Sequence, residues 1–245
     1  MPRMEEGNPG VALVTGGTGG VGSAVVARLT SDGFRVVTGG RNAEPSCSGQ
    51  VVSRRIDVCD SSSVDAAVEA ACELGPLTAV VVCHAVVFTT PLETMAEDAL
   101  LSTLDVNLAG TARVCRAAAS QIADGGAIVT MSSVAGARGR GPNRVAYGAS
   151  KAGIEALTRY YAVALAARSV RVNTVVPGPL DHAMASTVGE LRAFGDAEAT
   201  ITARIPLGRR LSVREVADTV GFLVSPRASG ITGVALPVDG GLLAK

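Results

Sequence analysis

Short apolar runs alternate along this chain with longer stretches in which apolar residues recur every three or four positions. Val11 to Val14 is such a run, entering a glycine-rich turn, and Gly20 to Thr30 then has helical periodicity through Val21, Ala24, Val25 and Leu29. Arg35 to Thr38 predicts a second strand and Val51 to Ile56 a third, followed by a helix over Ser61 to Glu73 with Ser61 or Ser62 as its cap. Thr78 to Cys83 predicts a fourth strand, Met95 to Ile122 one long helix and Ala127 to Met131 a fifth strand. Ala146 to Ala167 predicts another long helix, Val170 to Val176 a sixth strand, Val213 to Val224 a helix, and Val234 to Val238 a last strand. Connections of this length exclude tight hairpins. The pattern therefore predicts an α/β fold in which a doubly wound, mostly parallel sheet carries helices on both faces, with ligands at the carboxyl ends of the strands. Asp181 to Ile205 is weakly apolar and reads as a flap over the site.

Composition narrows the picture. The chain has 245 residues, enough to bury a sizeable core, and neither a linker nor an internal repeat divides it, so one domain over 1–245 is expected. A formal net charge of zero, without basic runs, argues against nucleic acid or an anionic membrane as partner. No apolar stretch approaches the length of a membrane span, and the polar, acidic start from Met1 to Pro9 has no signal-peptide character, which implies a cytoplasmic protein. The five cysteines are scattered without metal-ligand spacing and read as reduced thiols. A small molecule is the expected partner.

Thr15-Gly-Gly-Thr-Gly-Gly-Val-Gly22 places five glycines in eight residues between a strand and a helix. Backbone can approach a ligand closely there, and the helix start offers free N–H groups and a positive dipole end to a pyrophosphate. At the end of the second strand, where a carboxylate would bind an adenosine ribose, the chain reads Gly39-Gly40-Arg41-Asn42. An arginine without a neighbouring acid suits a 2′-phosphate, favouring NADP(H) over NAD(H). Asp57 stands where it can accept from an adenine amino group or cap the following helix.

The chain has three tyrosines and two lysines, Lys151 and Lys245, so an internal Lys four residues after Tyr147 is conspicuous. Positions i and i+4 share a helix face roughly 5–6 Å apart. A fixed cation there favours the phenolate, making Tyr147 a tuned proton donor or acceptor.

Thr15-Gly-x-x-x-Gly-x-Gly22, Ser133, Tyr147-x-x-x-Lys151 and Pro177-Gly178, in this order, resemble the short-chain dehydrogenase/reductase family in its compact single-domain form. The stretch from Ile201 to Gly208 and the ending Val238-Asp-Gly-Gly241 resemble its 3-ketoacyl reductases and aromatic-polyketide ketoreductases. The resemblance implies that Tyr147 exchanges a proton with the substrate oxygen, that Lys151 lowers the Tyr147 pKa and holds the nicotinamide ribose, and that Ser133 orients the substrate oxygen. Asn107 matches the family's fourth catalytic member, which holds a water linked to Lys151; a buried Asn satisfying a helix kink is the competing reading. The cofactor is implied to lie against Gly16, Thr18, Gly20, Val21 and Gly22, then Arg41, Asp57 and Val58, then His84 and Ala85, then Tyr147, Lys151, Pro177, Gly178, Leu180 and His182. Homotetramers are usual in the family.

Two departures stand out. Cys83-His84-Ala85-Val86 replaces the family's Asn-Asn-Ala-Gly, and His182 falls where a Thr usually meets the nicotinamide amide, so both histidines of the chain fall at expected cofactor or substrate positions. The resulting expectation is an NADPH-dependent ketoreductase for an acyl or polyketide-like ketone, free or carrier-tethered. Its rivals are an alcohol dehydrogenase for a sugar or steroid-like substrate and a catalytically idle dinucleotide-binding module.

Overall fold

A computed structural model describes residues 9–88, 92–139, 143–181 and 198–245. Its centre is an eight-stranded sheet in the order β3-β4-β2-β1-β5-β6-β7-β8, built from β1 (Val11–Thr15), β2 (Arg35–Gly40), β3 (Ser46–Ser48), β4 (Val51–Arg55), β5 (Leu77–Val82), β6 (Ala127–Met131), β7 (Arg171–Pro177) and β8 (Ala235–Val238). Every pairing is parallel except β3 with β4. β1 and β6 are buried at all five positions, which is why they read as nearly continuous apolar runs, with Thr15 and Thr130 their only polar members, rather than alternating ones.

Helices α1 (Gly20–Ser31), α2 (Ser61–Leu74), α3 (Glu97–Leu104), α4 (Gly110–Gln121), α5 (Val134–Ala137), α6 (Val145–Leu165), α7 (Glu198–Ala203) and α8 (Val213–Val224) accompany the sheet. On one face Leu13, Val80 and Ile128 pack with Val64 and Val68 of α2, Val114 of α4, and Ala162 and Leu165 of α6. On the other, Val14, Val81 and Val129 pack with Val25 and Leu29 of α1 and with Val216, Val220 and Leu223 of α8. Alternate residues of each central strand thus feed two separate cores.

Three expectations need correction. The helix expected over Met95 to Ile122 starts at Glu97 and is interrupted by a π-turn, Asp105–Ala109, in which Gly110 N–H reaches back to Asp105 O. The cap of α2 is Asp60, whose carboxylate accepts from Ser62 N, and neither Ser61 nor Ser62 nor Asp57 fills that place. The antiparallel edge strand β3 was not expected, because three exposed residues, Ser46 to Ser48, carry no hydrophobic period. Most of the flap expected over Asp181 to Ile205 falls on 182–197, outside the described residues.

The strand order reverses between β1 and β5. A crevice opens at such a switch point beyond the carboxyl ends of the strands. Gly16, Arg41, His84, Ser133 and Gly178 all follow strand ends on that side.

Candidate active site

The turn from β1 into α1 is shaped by glycines that cannot be replaced. Gly16 has φ +72°, and a Cβ there would lie 2.6 Å from His84 N; a Cβ on Gly22 would lie 2.1 Å from Gly16 O. Gly16 N donates to Gly39 O at 2.7 Å, which ties the turn to β2. The N-cap, Gly19, offers no side chain, the first turn of α1 carries no acid, and the N–H groups of Gly20, Val21 and Gly22 find no acceptor among the described residues. Three unpartnered donors at the positive end of a helix fit the pyrophosphate of a dinucleotide. Thr18 and Gly20 are exposed at the mouth of this cradle.

Beyond β2, the exposed Arg41 side chain has no acid within ion-pair distance among the described residues. Arg55, at the end of β4, donates from Nε to Arg41 O at 3.2 Å and pairs with Asp57 at 3.3 Å. Asp57 also accepts from Cys59 N at 3.1 Å, and its backbone N–H donates to Ser63 Oγ at 2.9 Å. Val58 is buried against α4, where a Cβ on Gly110 would lie 3.0 Å from its methyl group.

Past β5, His84 turns inward. Its Nε2 lies 3.1 Å from Val106 O, which can only accept, so that nitrogen carries the proton and Nδ1, 2.8 Å from Thr15 Oγ1, accepts from the hydroxyl. Burial and the nearby Lys151 charge push the ring down to about 3, so it is neutral. Both ring nitrogens are engaged within the protein, which leaves ring carbons and backbone for any ligand. Ala85 follows at the half-buried rim. Asn107, fully buried in the π-turn, accepts from Val86 N at 2.8 Å and donates to Val86 O at 2.9 Å and Ser150 Oγ at 3.1 Å. Its amide clamps the segment after β5 to α6.

Ser133 caps α5, accepting from Ala135 N at 3.2 Å, and its hydroxyl acts on the Tyr147 phenol of α6 to lower its pKa. Lys151, one turn on, is 2% exposed; its Nζ donates to Met131 O at 2.8 Å and lies 5.5 Å from the centre of the Tyr147 ring. Burial pulls the Lys151 ammonium down to about 8. The i, i+4 spacing predicts a phenol drawn toward phenolate by Lys151, and here the structure differs: burial raises the Tyr147 pKa above its usual 10, and the Ser133 hydroxyl and the Arg144 charge only partly oppose it. Desolvation outweighs an ammonium that is itself directed at a carbonyl. The cluster therefore holds two hydroxyls, those of Ser133 and Tyr147, beside a buried cation.

Four further groups support this cluster; Thr15 and Ser150 lie within the quoted motifs, but no spacing marks their partners. Thr15 and Ser150 hold His84 and Asn107. Ser132 Oγ lies 2.7 Å from Glu155 Oε1, and Glu155 stands four residues after Lys151 on α6, a spacing that the sequence does contain. Gly178 follows β7, donating to Val238 O at 2.9 Å, and a Cβ there would lie 2.7 Å from Asp239 Cα. Pro177 closes β7 and Leu180 bridges to Leu211, whereas His182 lies outside the described residues. Among the described residues there is no His, Cys, Asp or Glu cluster able to hold a metal and no helix long and apolar enough to cross a membrane.

The chain is similar to known proteins over nearly its whole length. The family model described as Enoyl-(Acyl carrier protein) reductase matches residues 16–243. A cis-4-hydroxycyclohexanecarboxylate dehydrogenase of Sinomonas cyclohexanicum is 37% identical, the match covering 96% of each chain. A 3-oxoacyl-(acyl-carrier-protein) reductase of Thermotoga maritima is 31% identical, over 95% of this chain and 97% of the relative. Among solved structures, a blue fluorescent protein from a metagenomic library, in complex with NADPH, superposes with a TM-score of 0.85 at 30% identity, covering 96% of this chain and 98% of that one. With a family model matching residues 16–243 and relatives more than 30% identical over nearly its whole length, this chain belongs to the short-chain dehydrogenase/reductase family and is an oxidoreductase of the CH–OH/C=O type.

Proposed function

We propose that the protein is an NADPH-dependent ketoreductase acting in the cytoplasm on a ketone of an acyl or polyketide-like substrate, free or carrier-tethered. The observation that carries this reading is the convergence of Ser133, Tyr147 and Lys151 beyond β6, on the side where the N-terminus of α1 offers its free N–H groups. Bound NADPH supplies the hydride to the carbonyl carbon. In this reading Ser133, which accepts from Ala135 N, turns its O–H to the substrate oxygen once a substrate is bound. Tyr147, kept protonated by burial, donates its proton to the alkoxide as charge develops there. Lys151, charged below about pH 8, favours the phenolate that remains and is placed to meet the nicotinamide ribose. Asn107, in this reading, supports the reaction by holding the backbone after β5 in place. Exposed Arg41 supports NADPH, and with it the reductive direction.

The test is oxidation of NADPH, with NADH in parallel, across diketones, acyl thioesters and polycyclic ketones. Tyr147→Phe is expected to lower turnover by roughly 10²–10⁴-fold with a far smaller effect on NADPH affinity. Turnover that survives the substitution would refute the mechanism.

A second reading, an alcohol dehydrogenase working oxidatively, is favoured by the Sinomonas relative, which is named for oxidation of a ring alcohol. Faster turnover of alcohols with oxidised dinucleotide than of ketones with NADPH would select it. We also place the enzyme as a homotetramer, a reading supported by the exposed apolar side chains Tyr160 and Val163 on α6 and by the open edge of β8.

A further inference from the structure

A phosphate monoester carries close to two negative charges at neutral pH, more than one guanidinium neutralises. Arg41 alone therefore leaves a 2′-phosphate half-compensated. The neighbouring strand brings a second arginine to the same place. β2 and β4 run parallel with Gly40 opposite Arg55, so the residue after β2 and the last residue of β4 meet at one strand-end corner. Consecutive residues of a strand point to opposite faces. Arg54 accordingly reaches Ala66 O on α2, whereas Arg55 folds over the end of β2, with Nε on Arg41 O and one Nη on Asp57. Those two bonds orient the fork and leave the other Nη without an acceptor among the described residues, on a side chain that is 60% exposed. Across the corner, Thr18 Oγ1 lies 3.3 Å from where a Cβ on Gly40 would sit.

We infer that Arg55 is a second ligand of the cofactor 2′-phosphate and determines dinucleotide specificity together with Arg41. The inference rests on the NADPH reading above. Planar guanidinium forks from two strands flank one phosphate, and Asp57 sets the aim of Arg55 instead of cancelling it, since an exposed pair at 3.3 Å is weak.

Calorimetric titration with NADPH, NADH and 2′,5′-ADP tests this without turnover. Arg55→Ala is expected to weaken 2′,5′-ADP and NADPH by about tenfold and to leave NADH within about twofold, with Arg55→Lys recovering part of the loss. The double variant with Arg41→Ala should bind NADPH no better than NADH. If Arg41→Ala weakens 2′,5′-ADP but Arg55→Ala does not, the role of Arg55 is refuted while the NADPH reading stands. Equal weakening of NADH by Arg55→Ala assigns it a structural role through Asp57 and also overturns the inference. A wild-type protein that binds NADH as tightly as NADPH removes both.

Discussion

His84 is a neutral ring held at both nitrogens, and the two bonds join the Gly-rich turn to the π-turn below the site. Its pKa is moved from an ordinary 6.5 to about 3, mainly by burial. Between those values the unfolded chain takes up a proton that the folded chain refuses. Stability contributed by the neutral ring is thus present above pH 6.5 and is lost as pH falls toward 3. His84→Gln keeps a donor for Val106 but has no titrating ring. It should be less stable than wild type at pH 7 and lose less stability on acidification to pH 4, as read by urea unfolding; parallel pH curves would contradict this. The residue stood out in the sequence because the chain has only two histidines. Its partners did not, because Val106 lies 22 residues away and its carbonyl is released only by a π-turn that no propensity marks. The Tyr147/Lys151 spacing was likewise legible, whereas the direction of the phenol shift depended on burial.

The elements were largely readable because parallel strands buried on both faces and amphipathic helices have different periods. α8 matches its expected span, with Ser212 and Glu215 forming a capping box that the letters announce. Its other end was not legible. Arg171, 8% exposed at the start of β7, donates to Leu223 O, Val224 O and Ser225 O, placing a cation at the negative end of the helix dipole. Arg171→Met should leave those carbonyls unpartnered and lower unfolding free energy by about 2–4 kcal/mol, with Arg171→Lys between the two. Denaturant unfolding at fixed protein concentration measures it. An unchanged midpoint would show that water replaces the guanidinium without cost.

The same helix that carries Tyr147 and Lys151 presents Tyr160 and Val163, 79% and 80% exposed, three residues apart on one face. Large apolar side chains so placed are expected to be covered by another surface. If the proposed tetramer uses α6, Val163→Asp should shift the sedimentation mass from four copies to two or one. A wild-type protein sedimenting as one copy would end that proposal. Assembly and chemistry would then share one rigid element, and dilution would lower activity of the variant before that of wild type.

Local order along the chain was enough to define most strands and helices, the glycine-rich turn and the Tyr147/Lys151 pair, since each rests on short-range periodicity, on backbone freedom or on spacing along one helix, whereas Ser133 was marked only by the family resemblance. Folding in three dimensions settled which side chains have partners. It engaged both nitrogens of His84, set Asn107 on the backbone of Val86, and brought Arg55 beside Arg41 from a different strand. Those pairings join residues 14 to 69 positions apart. No one-dimensional pattern encodes them, because they arise from strand order and from the removal of water between elements that meet only when the sheet is complete.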